Sequence, residues 1–194
     1  MKLEESKVLS DSSKDSPTRS KRILAIIVFF LISVLITAAG ALTPLSLEDA
    51  EARSKELDQI QAEIRNMNIL QITVFIFANN FRICLLMFIP AAGPFIGSYV
   101  LYNTGLVIGA ESQMKNTSGI AVLAALFVFP VTWLEFTAYS IALASGSWLI
   151  WRLIKSQGKK EIIQTCKYIA ICALVLFAAA FIEACLIVSL PPSA

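Results

Sequence analysis

The chain has 194 residues, of which 57% are hydrophobic and only 15% are charged. Soluble domains usually carry about a quarter charged residues, so this composition excludes an ordinary soluble domain. The formal net charge of +2 comes with no basic patch and interleaved aromatics, so nothing predicts nucleic-acid binding. The mean hydropathy of +0.72 predicts an integral membrane protein with the lipid bilayer as its surroundings.

The polar N-terminal residues 1–22 predict a disordered cytoplasmic tail, and residues 23–194 predict one transmembrane helical domain. A helix needs about 20 apolar residues to cross the hydrocarbon core. A signal peptide is the alternative for the first apolar block, but its length favours a retained helix. The predicted fold is an all-α polytopic bundle of about five spans, at residues 23–43, 69–90, 94–111, 119–151 and 168–190.

A charged segment separates the first two spans. Ser46 followed by Asp49 resembles a capping box at a helix start. Apolar residues then recur at helical spacing and predict an extracytoplasmic amphipathic helix over residues 47–66. Because no glycine or proline follows, we expect the helix to continue to Ile89. Its apolar stripe covers either the protein's own loops or a partner.

Glycine and proline mark the middle of the domain. Four glycines at a spacing of four or its multiples predict helix packing through close backbone approach, with a pore or ligand path as the alternative. These are Gly93, Gly97, Gly105 and Gly109. Pro130 interrupts residues 119–151, so this stretch is either a kinked helix or a re-entrant half-helix followed by a span.

The distribution of charge predicts the orientation. The N-terminal tail carries six Lys or Arg residues, and the predicted basic loop at residues 152–167 carries five. Residues 46–68 carry six acidic residues against three basic ones. By the positive-inside rule, the protein is a multi-pass cell-membrane protein with a cytoplasmic N-terminus and an extracytoplasmic C-terminus.

The most informative residues are the polar ones inside predicted spans. A charged side chain at the bilayer centre costs about 2.5–3.5 kcal/mol on insertion scales. We expect an ion pair between Arg82 and Glu135, because their predicted depths match. The whole predicted polar cluster comprises Asn79, Asn80, Arg82, Glu135 and Glu183. It either locks helices together, lines a cavity for a solute, proton or lipid headgroup, or meets a counter-charge supplied by a partner.

Nothing in the sequence predicts catalysis. The chain lacks histidine, which removes the commonest general base and metal ligand. No HExxH, GxSxG, P-loop or GxGxxG motif is present. The four cysteines form no CxxC pair, so neither a disulfide framework nor a zinc site is expected. We therefore expect no enzyme activity, no cofactor and no metal.

The order of short motifs over residues 70–148 resembles the stage II sporulation protein M family. Phe77-Ala78-Asn79-Asn80 is followed by the Gly93-Pro94 break, by Thr104-Gly105 through Gly109, and by Pro130 with Glu135 five residues later. Phe181-Ile182-Glu183-Ala184 resembles the Ile-Glu-Ala of the family's last helix. The family usually has His and Gly where this chain has Val131 and Thr132, and often Asn-Gly where it has Thr104-Gly105.

The resemblance implies a membrane protein that works with others. The founding member is thought to hold cell-wall-remodelling partners together at a septal membrane, and some relatives sit beside transport-related genes. We therefore expect a non-catalytic integral membrane subunit or scaffold of a complex, with other membrane proteins or its own copies as partners. One alternative is a transporter or channel that passes a small solute by the polar cluster. A second alternative is an auxiliary subunit of a membrane-bound enzyme.

Overall fold

The computed structural model describes residues 19–155 and 158–189, with the backbone alone at 158–160. Within these residues the chain forms α-helices and no strand. The helices are α1 (Arg19–Ala41), α2 (Leu47–Ile64), α3 (Ile69–Met87), α4 (Ala92–Met114), α5 (Gly119–Leu126), α6 (Pro130–Ile154) and α7 (Gly158–Ser189).

Three helices among the described residues are long and apolar enough to cross a membrane. They are α1, α3 and the part of α7 over Glu161–Ser189, and α5 with α6 makes a fourth candidate if the bent pair counts as one span. The fold is therefore a helical membrane bundle, as predicted. α4 has 23 residues, or about 34 Å at 1.5 Å per residue, but is not among these candidates. The five-span count and the orientation stay predictions.

Two predicted boundaries at the ends of the domain are wrong. α1 begins at Arg19, so residues 19–22 of the predicted tail are helical, and the rest of that tail lies outside the described residues. α6 ends at Ile154 and α7 begins at Gly158, so residues 152–154 and 158–167 of the predicted basic loop at 152–167 are helical. Charged residues at a helix end extend the helix beyond its apolar part, which hydropathy does not detect.

The predicted continuous helix from Leu47 to Ile89 is also wrong. α2 ends at Ile64, and Asn68 caps a separate helix, α3. The Asn68 side chain accepts a hydrogen bond from the Gln71 backbone at 3.0 Å, and the Gln71 side chain accepts one from the Asn68 backbone at 2.9 Å. This reciprocal capping box satisfies two backbone donors and starts a new helix without glycine or proline.

The predicted break at Pro130 is present as a sharp corner. α5 has eight residues and meets α6 at 91°. Pro130 is the first residue of α6, where its missing N–H costs no helical hydrogen bond. Thr132 Oγ1 donates to the Leu126 carbonyl, and Trp133 Nε1 donates to the Phe127 carbonyl, each at 2.8 Å. Two side chains of α6 thus satisfy carbonyl groups at the end of α5.

The backbones of α1 and α4 approach each other closely. A Cβ on Gly105 would overlap the Thr37 carbonyl oxygen and the Gly40 Cα, and a Cβ on Gly40 would overlap the Tyr102 carbonyl oxygen. Only glycine permits this separation of the two backbones. Gly97 instead faces Leu143 of α6. All four glycines of the predicted set are buried, so they pack within the chain and are not available for contacts with a partner.

The largest apolar cluster lies where α3, α4, α6 and α7 meet. Small residues of α6 allow the close packing of these helices, since Ala138 and Ala142 are fully buried. Cys84 and Cys172 are also fully buried, and all four cysteines are free. The cluster supports one wall of the site described next, because Phe136 belongs to both.

Candidate functional site: a carboxylate cavity

The corner at Pro130 places Glu135 in the second turn of α6, facing α3. There the Asn80 side chain donates a hydrogen bond through Nδ2 to Glu135 Oε1. Both side chains are half-buried. An amide donor stabilises a carboxylate inside a bilayer without neutralising its charge, so Glu135 keeps the need for a proton or a cation.

Glu135 and Glu183 line the same cavity, which we call the carboxylate cavity. Its volume is about 310 Å³, and it lies between α1, α4, α5, α6 and α7. Its lining residues are Thr37, Thr104, Ile108, Leu123, Leu126, Phe129, Val131, Thr132, Glu135, Phe136, Glu183, Leu186 and Ile187. The structure thus brings together two carboxyl groups that the sequence only placed in separate spans.

Three threonine hydroxyl groups complete the polar part of the lining. Each donates its hydrogen to a backbone carbonyl: Thr37 to Ser33 at 3.0 Å, Thr104 to Val100 at 3.1 Å and Thr132 to Leu126 at 2.8 Å. A hydroxyl has one hydrogen to donate and two lone pairs to accept with. With their hydrogens committed, these hydroxyl groups contribute acceptors to the cavity.

Arg82 and Asn79 lie elsewhere. Both are exposed on the outer face of α3, and within the described part of the chain no ion pair or hydrogen bond involves Arg82. The predicted Arg82–Glu135 ion pair is therefore wrong, and Asn80 occupies the position next to Glu135. Two residues along a helix are separated by about 200°, so Arg82 points away from Glu135 when Asn80 points toward it.

A second charged group, which we call the ion-pair cluster, was not predicted. Both terminal guanidinium nitrogens of Arg22 donate to the Glu161 carboxylate at 2.7 Å. Arg152 Nε lies 3.9 Å from Glu161 Oε2, and the Arg152 and Glu161 side chains are 2% and 3% exposed. The cluster joins the beginning of α1 to the end of α6 and the beginning of α7. Arg22 and Glu161 are 139 residues apart in sequence, so no local pattern indicates their contact.

The two charged sites lie far apart along the bundle. Arg22 and Thr37 are 15 residues apart on α1, or about 22 Å at 1.5 Å per residue. In the ion-pair cluster each charge has an opposite charge beside it. Within the described residues, no basic side chain lines the carboxylate cavity. The cavity can therefore hold a proton, a cation or a hydrogen-bond donor from outside the chain.

The described residues contain no group of three or more His, Cys, Asp or Glu side chains that could hold a metal ion. The two carboxyl groups of the cavity are a smaller set than this. Mg²⁺ and Ca²⁺ require several oxygen ligands besides one or two carboxylates. The cavity lining, which is mostly apolar, suits an organic group better than a hydrated metal ion.

Comparison with known proteins gives one match. The sequence model described as stage II sporulation protein M matches residues 25–186, which include Asn80, Glu135 and Glu183 and most of the chain. No curated protein and no solved structure is significantly similar to the chain. The chain belongs to the stage II sporulation protein M family.

Proposed function

We propose that this chain is a non-catalytic subunit of a membrane protein complex and that it binds its partner through the outer face of α3. The observation that carries this proposal is the exposure of Asn79 and Arg82 on a candidate membrane span. They are three residues apart, so they share one helix face. A guanidinium and an amide on a lipid-facing surface are costly, and a partner that pairs with them removes this cost.

The position of Asn79 along α3 also supports a partner at this face. It is the eleventh of the 19 residues of α3, which places it near the middle of the helix. A long arginine side chain reaches an interface when it lies near a helix end, but a short asparagine side chain does not. Its one hydrogen bond among the described residues is a 3.4 Å contact to Asn80. A partner with a carboxylate or free carbonyl groups at this depth fits both residues.

The test compares complexes solubilised from native membranes in mild detergent. We expect Arg82→Leu with Asn79→Leu to weaken association by about 1–2 kcal/mol, which is roughly 5- to 30-fold. Native gels and chemical cross-linking measure the assembled fraction. Leu174→Ala is the matched control, because Leu174 is 73% exposed on another helix, α7.

The control variant is expected to assemble like the unmodified chain. Arg82→Lys keeps the charge and is expected to retain most of the assembly. The proposal fails if the unmodified chain is a monomer in native membranes, or if the double variant assembles as well as the control.

A second candidate function, passage of a solute, is favoured by the carboxylate cavity. Broken helices and polar groups at membrane depth are typical of transporter binding sites, and the Pro130 corner lies beside Glu135. Reconstituted protein with Glu135→Gln tests this candidate. If flux of candidate cations into vesicles is the same for the variant and the unmodified chain, this function is excluded for the cavity.

A further inference from the structure

From the lining of the carboxylate cavity, we infer that it is a binding site for a small organic cation, an ammonium group attached to an apolar body. This inference is independent of the proposed assembly through α3. It names a ligand class for the cavity, which sequence comparison leaves open.

The charge of the two carboxyl groups in the cavity favours a cationic ligand. Glu135 and Glu183 line the cavity together. Two ionised carboxylates in an apolar space repel each other, and each also loses hydration. A cation placed between them offsets both costs, whereas an anion increases them.

The hydrogen-bonding groups of the lining also favour a cationic ligand. The three threonine hydroxyl groups of the lining already donate to backbone carbonyls. Asn80 donates to Glu135 from behind. With the carboxylates ionised, the polar atoms that line the cavity are therefore acceptors. An ammonium group has three donors and no acceptor, so it complements this lining better than a carbonyl, phosphate or carboxylate group.

The walls define the rest of the ligand. Eight of the thirteen lining residues are apolar, and two of these are phenylalanines, Phe129 and Phe136. Aromatic faces attract a cation through the ring quadrupole, and the other apolar side chains exclude a ligand that is hydrated all round. The ligand is thus amphipathic, with one charged end and one apolar end.

The volume of the cavity indicates the size of the group that it can hold. The volume of about 310 Å³ is at the small end of ligand pockets, which span about 300–1,000 Å³. A single aromatic ring with a short aminoalkyl chain is a suitable probe. A phospholipid is too large to enter whole, although its amine headgroup shares the selected chemistry.

The experiment uses the full chain in lipid nanodiscs and three probes of nearly equal shape. These are 2-phenylethylamine, which is a cation, propylbenzene, which is neutral, and 3-phenylpropanoate, which is an anion. Ligand-detected NMR measures binding, and empty nanodiscs correct for partition into lipid. We expect the amine to bind at least about tenfold more tightly than the neutral probe and the anion not to bind.

Variants then assign the binding to the cavity. We expect Glu183→Gln and Glu135→Gln each to weaken amine binding by about tenfold or more, and Leu186→Trp to block it by filling the space. Glu111→Gln is the matched control, since Glu111 is an acid near the end of α4 outside the cavity lining. It is expected to bind as the unmodified chain does.

Some outcomes overturn the inference. Equal binding of the amine and propylbenzene would show that charge does not select the ligand, and unchanged binding in both glutamate variants would place the amine elsewhere. Loss of binding only in variants that no longer fold, as judged by gel filtration and tryptophan fluorescence, also counts against it. Amine binding without flux would exclude transport but keep the site, and an intact complex without amine binding would keep the subunit proposal alone.

Discussion

The ion-pair cluster and the carboxylate cavity contain the same kind of acidic side chain in opposite circumstances. Glu161 is 3% exposed and receives a bidentate contact from Arg22 at 2.7 Å, with Arg152 nearby. Glu135 receives one amide hydrogen bond, and Glu183 has no cationic partner among the described residues. A buried carboxylate with its own cation is complete within the fold, whereas a carboxylate facing a cavity without one still requires a proton or a ligand.

This difference separates structural charge from functional charge. All three residues of the ion-pair cluster lie at the ends of apolar segments, where their pairing fixes the beginning of α1 against the end of α6 and the beginning of α7. The two acids of the cavity lie inside apolar segments, where nothing else in the described chain neutralises them. Acids that line a concave site without a cationic partner are candidates for function. Mutations that compare the two regions test this interpretation directly.

The largest expected effect is at Glu161. Glu161→Gln keeps the shape of the side chain but leaves the guanidinium groups of Arg22 and Arg152 without the carboxylate between them. Breaking a buried ion pair by removing one partner costs about 3–5 kcal/mol. We therefore expect the free energy of unfolding to fall by this amount, as measured by SDS titration in mixed micelles with tryptophan fluorescence.

The matched control for Glu161 is another acid in an ion pair. Glu111 pairs with Lys115 at 2.7 Å, but the Lys115 side chain is 69% exposed. An exposed pair contributes about 0–1 kcal/mol, so Glu111→Gln should change stability little. If Glu161→Gln costs no more than Glu111→Gln, the ion-pair cluster is not the structural charge that we infer.

An intermediate effect is expected at Gly105, which shapes the cavity without changing its charge. Gly105→Ala adds a Cβ that overlaps the Thr37 backbone. Thr37 lines the cavity, and so does Thr104, the residue before Gly105. Separating α1 from α4 should cost about 1–3 kcal/mol, as overpacking does elsewhere. The same unfolding titration measures this loss, and amine binding reports whether the cavity has changed.

Gly97→Ala is the control for that substitution. Its added Cβ would lie 2.8 Å from the Leu143 Cδ2 atom, which is the end of a flexible side chain. The neighbour can move, so we expect a smaller loss than at Gly105. An equal loss at both glycines would mean that backbone contact between α1 and α4 is not the reason.

The sequence predicts the elements of this fold well and their rotation poorly. Long apolar segments predict α1, α3 and the apolar part of α7, and Pro130 predicts the break before α6. These features depend on residues that are neighbours in sequence. The capping box at Asn68 is local too, but the lack of glycine and proline around it predicts a continuous helix, and this prediction is wrong.

The contacts of the candidate site are harder to predict from the sequence than the helices are. Hydropathy gives the depth of Arg82 and Glu135 but not the face on which each lies, so a match in depth predicted the wrong pair. Helical periodicity corrects it in part, because Asn80 and Arg82 point in nearly opposite directions. That Glu183 shares a cavity with Glu135, and that Glu161 contacts Arg22, depends on packing between helices that are distant in sequence.

The smallest expected effect is at Glu183, and it tests the comparison most directly. Glu183→Gln removes a charge that has no cationic partner among the described residues, and it also removes the repulsion with Glu135. We expect the free energy of unfolding to change by no more than about 0.5 kcal/mol in the titration used for Glu161→Gln. Glu135→Gln should behave similarly, since a glutamine oxygen still accepts the hydrogen bond from Asn80.

A loss at Glu183 comparable to that at Glu161 would mean that the fold itself supplies a counter-charge, and the distinction between the two regions would disappear. A small change together with weaker amine binding separates the roles, because the same substitution then affects the ligand and not the fold.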